Sequence, residues 1–516
     1  MDHAAHALAL PDRSRFRHRP EDTALYHAVA EHWSAFQERA QAQGGLPKFV
    51  VKEFEGYLDC GRLDRGCLRL VCRDCGYSEL VAFSCKQRGF CPSCIGRRMA
   101  DVAVHLEERV LPRVPIRHWI CSLPWGLRAL LGYDRKLCAE VVSGFMKEVD
   151  RSLRWRAKRE HGLTSMSQAF TGAVVAVQRT DSALRLNVHL HALVLDGVYV
   201  HQDDDARRPL KFLELGNPTH EDIAEVARRA AARVEKILRA HGRSLDPALA
   251  DETLPELSVD APALGACYGA AAQGIGLSGD RAGLPPLRLI TAPPDRPHAR
   301  DVTDAPIAEV RGINVHAAQV VDGRDRRRVE RLCRYITRPP VAQNRLERRS
   351  DGKLELTFKK PWRDGTRALV LEPEDLIARL VAAVPPPRFH TLRYFGVLSS
   401  HSSRRALVVP DAPPDPSSTK PPPAAGDQLD LLDLLGEHDD KPAPRKRWAW
   451  LLAHTFAADV ETCPRCAGPM RWAEVATSRA DITRLLAEHG LGPRAPPSLR
   501  QQRRVPEQLS LGFGSK

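Results

Sequence analysis

One stretch of the chain, residues 184–195, constrains the fold more than any other. It reads Leu-Arg-Leu-Asn-Val-His-Leu-His-Ala-Leu-Val-Leu, and its alternating apolar residues are typical of a buried β-strand. Side chains two residues apart lie on one face of a strand, so His189 and His191 point the same way. Two neutral imidazoles on one face favour a divalent metal ion. The alternative is that they are two unrelated, half-buried histidines.

A second apolar run precedes this stretch. Residues 172–178 read Gly-Ala-Val-Val-Ala-Val-Gln, and residues 180–183 are turn-like. The two runs are therefore predicted to form an antiparallel hairpin. That pairing places Gln178 near His189, within a residue or two. The amide oxygen of Gln178 is a candidate third metal ligand, and the alternative is a glutamine at a strand end that faces water.

The cysteines fall into closely spaced pairs. Two Cys-x-x-Cys turns separated by fifteen residues are predicted to bind one structural zinc ion, because each turn supplies two thiolates; the predicted ligands are Cys72, Cys75, Cys91 and Cys94. Cys60 and Cys85 are candidates for a second zinc site, and the alternative is that they are small buried side chains. Cys463 and Cys466 form a single pair with no later cysteine, which indicates a half-site or a relic.

The 516-residue chain is basic, with a net charge of +13 and a pI of about 9.3. This balance favours a polyanionic partner, above all nucleic acid. Basic residues near the paired cysteines are predicted to contact DNA, namely Lys86, Arg88, Arg97 and Arg98. No apolar run approaches the roughly 18 residues of a membrane span. The first residues lack the apolar core of a signal peptide, so we expect a cytoplasmic protein with no membrane partner.

A basic helix is predicted over residues 325–338, because an apolar stripe recurs at helical spacing and Pro339-Pro340 ends it. Tyr335 lies in its last turn among four arginines, Arg328, Arg331, Arg334 and Arg338. Arginines so close to a phenol favour a bound phosphate near its oxygen. The alternative is a solvated basic helix with a packing tyrosine. Tyr394 also has basic neighbours, and it is the competing candidate for a reactive phenol.

Periodicity predicts further elements, and composition divides the chain into five parts. Helices are predicted at 21–43 and 373–384, and strands at 116–123, 354–358 and 368–371. We expect a disordered basic arm at 1–20, a helix plus zinc-binding domain at 21–110 and a catalytic domain at 111–408. A Pro-rich and acidic linker is expected at 409–446. A C-terminal tail with the single Cys-x-x-Cys pair is expected at 447–516.

Three elements taken in order resemble one family. The block Phe83-Ser-Cys-Lys-Gln-Arg-Gly-Phe-Cys-Pro-Ser-Cys94, the stretch Asn187-Val-His-Leu-His191 and the segment Arg334-Tyr-Ile-Thr-Arg-Pro-Pro340 resemble the insertion sequence 91 family of transposases, which are HUH single-strand nucleases. The resemblance spans roughly residues 50–405. It implies an α+β fold, with an antiparallel-sheet HUH endonuclease core, flanking helices and a small zinc-binding module in front.

The resemblance also implies a mechanism. Tyr335 is the expected nucleophile on single-stranded DNA at transposon ends and in target DNA, and it forms a 5′-phosphotyrosine in rolling-circle transposition. The implied cofactors are structural Zn²⁺ and a catalytic Mg²⁺ or Mn²⁺ held by His189, His191 and a third polar ligand. Founding members carry two tyrosines four residues apart. Here the position four after Tyr335 is Pro339, so a single-tyrosine variant is expected.

Three other functions compete with this interpretation. A plasmid replication initiator or relaxase would use the same chemistry. A non-catalytic zinc-finger DNA-binding protein would leave His189 and His191 structural. A zinc hydrolase would need a further His or carboxylate ligand and would have no use for Tyr335. The sequence makes no prediction of the oligomeric state.

Overall fold

The computed structural model describes residues 20–202, 210–245, 255–291, 306–410, 460–491 and 511–512. The arm predicted at 1–20 and the linker predicted at 409–446 lie outside these ranges apart from their innermost residues. The helices are α1 Ala24–Gln41, α2 Lys48–Asp59, α3 Pro92–Arg109, α4 Arg128–Tyr133, α5 Arg135–His161, α6 His220–Ala240, α7 Pro255–Asp260, α8 Pro262–Gln273, α9 Arg326–Ile336, α10 Pro373–Ala383 and α11 Arg479–Glu488.

The strands are short and lie between these helices. They are β1 Cys67–Cys72, β2 Ser78–Ala82, β3 Ile116–Ser122, β4 Gly172–Thr180, β5 Leu186–Leu195, β6 Gly197–Val200, β7 Lys211–Glu214, β8 Leu287–Ile290, β9 Ile307–Val310, β10 Ile313–Val321, β11 Leu346–Arg348, β12 Leu354–Thr357, β13 Thr366–Leu371, β14 Leu392–Gly396, β15 Met470–Ala476 and β16 Leu511–Gly512. Helices and antiparallel strands thus confirm the α+β class.

The largest sheet has the strand order β14-β4-β5-β3-β10-β9, and every neighbouring pair is antiparallel. The predicted hairpin is confirmed as β4 and β5, and Gln178 pairs directly with His189. The apolar alternation of β5 explains its central position, because a strand with two buried faces must be covered by helices on both sides.

The two faces of this sheet have different coverings. On one face, Val188, Leu190 and Ala192 of β5 pack with α5 and α6 in one core. On the other face, Leu193 and Leu195 pack with α3 and α9 in a second core. His189 and His191 lie on this second face, by the alternation of the strand. The histidines therefore face α9, the helix that carries Tyr335.

Helix α9 docks on the sheet through the predicted apolar stripe, whose members are all buried: Val329, Leu332, Cys333 and Ile336. Asp325 caps its first turn by accepting a hydrogen bond from the backbone of Arg328 at 3.0 Å. Arg326 pairs with Glu107 of α3 at 2.6 Å. This helix therefore begins and docks at fixed points, which positions its last turn over the sheet.

A second sheet, β11-β12-β13-β8-β16, lies apart from the site. Its inner residues share a core with α1, α2, α8 and α10. The sequence pattern predicts α1, β12, β13 and α10 at nearly these bounds, but it does not indicate α2 or α8. Among the described residues, no helix is long and apolar enough to cross a membrane.

The third sheet joins the N-terminal cysteine-rich region to the described part of the C-terminal segment. Strand β1 lies between β2 and β15, and α11 packs on the same small core. The described part of the C-terminal segment therefore folds onto the cysteine-rich region, where the sequence analysis had predicted a separate tail.

Candidate functional site

Four side chains from two strands and one helix meet on the second face of the large sheet. His189 and His191 come from β5, His118 from β3, and Tyr335 from the last turn of α9. The ring of Tyr335 lies 5.5 Å from that of His191 and 6.0 Å from that of His118, edge to face in both cases. The rings of His189 and His191 are 5.0 Å apart. The predicted nucleophile and the predicted metal-binding pair thus occupy one site.

The hydrogen bonds of the histidines leave one nitrogen on each ring of the pair for a metal. Nδ1 of His189 lies 2.7 Å from the backbone oxygen of Asn187. A carbonyl only accepts, so Nδ1 carries the proton and Nε2 has a free lone pair. Nδ1 of His191 lies 2.9 Å from Nε2 of His118. Nε2 of His191 is buried with no hydrogen-bond partner among the described residues, which fits a metal ligand.

Burial keeps all three histidines neutral. Desolvation lowers the pKa of His118 to about 4. It also lowers the pKa of His191 to about 2, with help from the neighbouring His189 and His118. The pKa of His189 is lowered mainly by desolvation as well. Neutral imidazole is the form that binds metal ions, so the three rings are in the right state at neutral pH.

Gln178 lies beside the pair and also holds the helix. Its amide nitrogen donates to the backbone oxygens of Tyr335 at 3.2 Å and of Ile336 at 3.0 Å. These bonds fix the C-terminal end of α9, whose last carbonyls have no partner within the helix. The amide oxygen is the atom that would join a metal.

The four arginines predicted to surround Tyr335 have three different surroundings. Arg338 lies over the ring of Tyr335, 4.8 Å from its centre. Arg328 and Arg331 line a cleft together with Tyr335 and Gln319. Arg334 is paired with Glu330 at 2.8 Å. Tyr335 itself is 42% exposed, so its side chain is accessible from this cleft.

Tyr394 was the competing tyrosine in the sequence, and its surroundings differ. It lies on β14, opposite Val174 of β4, and packs against the core beneath α9. Burial raises the pKa of its hydroxyl. A partly buried phenol two strands from β5 is less suited to attack DNA than the exposed Tyr335.

His118 is the residue of this site that the sequence analysis missed. It precedes His191 by 73 residues in the chain. The strand 116–123 was predicted, but nothing local shows that it becomes the neighbour of β5. Its only sequence signal is a histidine on an apolar strand.

The cysteines form two clusters, and the predicted grouping of Cys72, Cys75, Cys91 and Cys94 at one zinc is wrong in this structure. Cluster I contains Cys60, Cys85, Cys91 and Cys94. Cluster II contains Cys72, Cys75, Cys463 and Cys466. In each cluster the four sulfur atoms lie within 4.8 Å of one another.

The hairpin of β1 and β2 keeps the two pairs of predicted ligands apart. Cys72 and Cys75 lie at its tip, whereas Cys60, Cys85 and Cys91 lie near its base. A strand rises roughly 3.3 Å per residue, so the six residues of β1 separate the tip from the base by roughly 15–20 Å. The C-terminal pair, interpreted as a half-site or relic, is instead one half of cluster II.

Cluster I has the dimensions of a tetrathiolate zinc site. Its sulfur separations include 3.7 Å for Cys60–Cys94, 3.6 Å for Cys91–Cys60 and 3.4 Å for Cys85–Cys94. A tetrahedron with Zn–S bonds of about 2.3 Å has edges of about 3.8 Å. Nη2 of Arg97 donates to the sulfur of Cys94 at 3.6 Å, and this positive charge favours the thiolate.

The basic residues predicted to contact DNA surround cluster I. Lys86, Arg88 and Arg98 are exposed, while Arg97 is half-buried against Cys94. Lys86, Arg88 and Arg98 therefore lie on the surface, whereas Arg97 donates a hydrogen bond to a cysteine of cluster I.

Two comparisons with known proteins agree with this arrangement. Residues 172–406 match the family described as "Putative transposase", and residues 28–123 match the transposase zinc-binding domain. Together with the site, these matches define a transposase, a DNA-processing enzyme with an N-terminal zinc-binding domain. Over 365 residues the chain is 22% identical to the transposase for insertion sequence element IS801 of Pseudomonas savastanoi pv. phaseolicola. The aligned region covers 69% of this chain and 72% of that protein. The chain belongs to the insertion sequence 91 family of transposases. No solved structure matches it.

Proposed function

We propose that Tyr335 is the nucleophile that cleaves and rejoins single-stranded DNA at the transposon ends and in the target. The observation that carries this proposal is the position of its ring, 5.5 Å from that of His191. The phenolic oxygen attacks the scissile phosphorus, and the bond from phosphorus to the 3′ oxygen breaks. The phenol loses its proton, the leaving 3′ oxygen gains one, and the 5′ phosphate stays on the tyrosine. The phosphoester bond is conserved, so no nucleotide triphosphate is consumed.

The proposed metal ligands are His189, His191 and Gln178, with Mg²⁺ or Mn²⁺ as the ion. A divalent cation held by these residues would neutralise charge on the scissile phosphate. An amide oxygen and phosphate oxygens suit these ions. Within the described residues, the groups of three or more His, Cys, Asp or Glu ligands are the two cysteine clusters. The histidine pair therefore lacks the third ligand of this kind that a zinc hydrolase requires.

The strand to be cut is proposed to bind along the arginine-lined cleft. Arg328 and Arg331 lie at the cleft with Tyr335, and Arg338 stacks on the tyrosine ring. The guanidinium groups of these arginines can each donate two hydrogen bonds to a phosphate of the strand. The basic surface is extended at the zinc-binding domain by Lys86, Arg88 and Arg98. Salt-sensitive affinity is expected.

Each chain supplies one nucleophile in this proposal. Helix α9 ends at Ile336, and Pro339 occupies the position where founding members of the family carry a second tyrosine. In this proposal the chain is a single-tyrosine variant of the rolling-circle transposases. The reaction takes place on DNA in the cytoplasm of a bacterial cell.

Cluster I is proposed to bind the structural zinc of the N-terminal domain. All four cysteines lie within the residues that match the transposase zinc-binding domain. Four protein ligands close the coordination shell, so this zinc stabilises the fold and does not take part in chemistry.

A replication initiator or relaxase with the same chemistry is the second candidate function. The matches to transposases over both parts of the chain favour transposition. A purely structural role for His189 and His191 is disfavoured, because Nε2 of His191 is buried without a hydrogen-bond partner among the described residues, in a ring that lies 5.5 Å from that of Tyr335.

The test is capture of the covalent intermediate. The protein is incubated with single-stranded oligonucleotides of its own element's ends and Mg²⁺ or Mn²⁺, and the adduct is mapped by mass spectrometry. Tyr335→Phe removes one oxygen atom and should abolish the adduct while DNA binding persists. Tyr394→Phe is the matched control and should retain the adduct. Adduct formation by Tyr335→Phe but not by Tyr394→Phe would overturn the assignment.

A further inference from the structure

The C-terminal cysteine pair has the same backbone turn as the N-terminal pair of cluster II. The backbone N–H of Cys72 donates to the oxygen of Tyr77 at 2.8 Å, and that of Cys463 donates to the oxygen of Gly468 at 2.7 Å. In return, the oxygen of Cys72 accepts from Gly76 at 3.1 Å, and that of Cys463 accepts from Ala467 at 2.9 Å. The two turns, which are separated by the 388 residues from Cys75 to Cys463, are therefore equivalent.

The equivalence extends to the residue after the second cysteine of each turn. Gly76 has a φ of 71° and Ala467 a φ of 60°. A left-handed conformation is ordinary for glycine but unfavourable for alanine. Ala467 nevertheless adopts the left-handed conformation. In this turn the sulfurs of Cys463 and Cys466 both lie next to those of Cys72 and Cys75. The Arg465 N–H also donates to the sulfur of Cys463 at 3.4 Å, which favours a thiolate.

The four sulfurs of cluster II interlock across the two turns. Cys72 lies 3.5 Å from Cys466, and Cys75 lies 3.6 Å from Cys463. These separations are far longer than a disulfide bond of about 2.05 Å. They are close to the edge of about 3.8 Å expected for four thiolates around zinc.

The segment that carries Cys463 and Cys466 is built into the third sheet. Strand β15 pairs with β1 from Cys67–Ala476 to Cys72–Met470. The hydroxyl of Ser78 lies 2.9 Å from Nε2 of His489, just beyond α11. The shared cores are small: one contains Leu70, Cys72, Cys463 and Met470. Hydrophobic cores of this size are rarely sufficient to stabilise a fold without a disulfide bond or a bound metal ion.

We propose that Cys72, Cys75, Cys463 and Cys466 bind a second structural zinc ion, which joins the two ends of the chain. Only half of its ligands lie within the residues that match the transposase zinc-binding domain. This zinc closes a loop that contains the whole catalytic sheet, and long closed loops lose the most chain entropy in the unfolded state. All four positions are filled by cysteine, so the ion stabilises the fold and does not react.

The first experiment measures the number of zinc ions per chain in the purified full-length protein by inductively coupled plasma mass spectrometry. We expect two zinc ions per chain. Cys466→Ser should reduce the count to one, and Cys466→His should restore it to two, because Cys₃His is also a zinc site. Cys466 is exposed, so its replacement leaves the cores intact.

Two controls separate the clusters. Cys94→Ser should also leave one zinc, the one of cluster II. Cys67→Ala changes a buried cysteine of the same sheet that belongs to neither cluster, and it should keep both ions. A count of two in Cys466→Ser, or a single zinc in the unchanged protein, would overturn the proposal.

The second experiment tests whether this zinc joins the chain ends. A cleavage site for a sequence-specific protease is inserted at residue 446, and the cut protein is passed over a size-exclusion column. The fragment 447–516 should stay bound to the remainder in the unchanged protein and in Cys94→Ser. It should separate in Cys466→Ser. Retention of the fragment by Cys466→Ser would show that zinc does not hold the ends together.

Discussion

The imidazole of His118 supports that of His191: its Nε2 lies 2.9 Å from Nδ1 of His191, and the two rings stack with centres 5.1 Å apart. For His191 to offer Nε2 to a metal, its Nδ1 must carry the proton and His118 must accept it. His118 therefore fixes the tautomer and the orientation of a proposed ligand. Such partners are a general feature of metal-binding histidines.

His118→Ala should weaken metal binding and adduct formation by about 10–100-fold. The lost rate should return at high Mn²⁺ concentration, because His118 acts through His191. His118→Gln keeps an oxygen that can accept the proton of Nδ1, and it should retain more activity. The measurement is the adduct rate as a function of Mn²⁺ concentration.

A matched control for His118 lies on the opposite side of the sheet. His220 is an exposed histidine at the start of α6, and His220→Ala should leave the Mn²⁺ dependence unchanged. A His118→Ala protein with an unaltered Mn²⁺ dependence would rule out the positioning role.

Gln178 has two separable roles, and Gln178→Glu should divide them. The carboxylate retains an oxygen for the metal, so Mn²⁺ affinity should be equal or higher. It lacks the N–H groups that bond to the oxygens of Tyr335 and Ile336. Two lost hydrogen bonds of about 1 kcal/mol each should free the end of α9 and lower the adduct rate by up to roughly 30-fold.

Gln178→Ala removes both roles and should lower Mn²⁺ affinity as well as the rate. Calorimetric titration with Mn²⁺ and the adduct assay measure the two effects separately. Gln168, in an exposed turn with only local bonds, provides the control through Gln168→Ala. Equal Mn²⁺ affinity in Gln178→Ala and the unchanged protein would exclude Gln178 as a ligand.

A buried ion pair holds the strand that carries His118. Arg117 forms a two-pronged bond with Asp196, at 2.8 and 2.7 Å, and both side chains are almost fully buried. Arg117→Ala leaves the carboxylate of Asp196 buried without its partner. It should lower the free energy of unfolding by about 3–5 kcal/mol, measured by urea denaturation.

The control for that change is an exposed pair of the same type. Arg154 and Asp150 are 3.0 Å apart and about one-third exposed, so Arg154→Ala should cost no more than about 1 kcal/mol. Similar losses in the two variants would show that burial does not decide the strength of the Arg117 pair.

The local sequence pattern was sufficient to predict those parts of the site that are formed by elements adjacent in the chain or by one face of a single element. The alternation of β4 and β5, joined by a short turn, predicted that Gln178 lies within a residue or two of His189, and the two residues pair directly. The helical spacing of Val329, Leu332 and Ile336 predicted the face on which α9 docks. In these cases the residues that interact are close in sequence or repeat with the period of their own element.

Contacts between distant segments were beyond such patterns. His118 became part of the site because β3 inserts between β5 and β10, a choice that depends on the packing of the whole sheet. The cysteines were grouped by sequence spacing, but the length of the β1–β2 hairpin and the pairing of β15 with β1 determine which sulfurs meet. Spacing identified cysteines that belong to the two clusters and did not identify their partners.

The arginines of α9 and its C-terminal end differ in their surroundings, although the sequence presents them as one basic group. Arg338 stacks on Tyr335 with its guanidinium 4.8 Å from the ring centre, next to the proposed scissile phosphate. Arg334 is bonded to Glu330 through both Nε and Nη2, at 2.9 and 2.8 Å. The charge of Arg334 is therefore already partly neutralised, and the two arginines should contribute unequally to DNA binding.

Arg338→Ala should weaken binding of a single-stranded oligonucleotide several-fold, whereas Arg334→Ala should have little effect. Loss of one phosphate contact should also reduce the slope of log affinity against log salt by about 0.7. Fluorescence anisotropy between low and physiological salt measures both the affinity and the slope. The slope depends on the number of phosphate contacts, because each contact releases counterions when DNA binds. Equal slopes for Arg338→Ala and Arg334→Ala would therefore show that Arg338 makes no phosphate contact of its own.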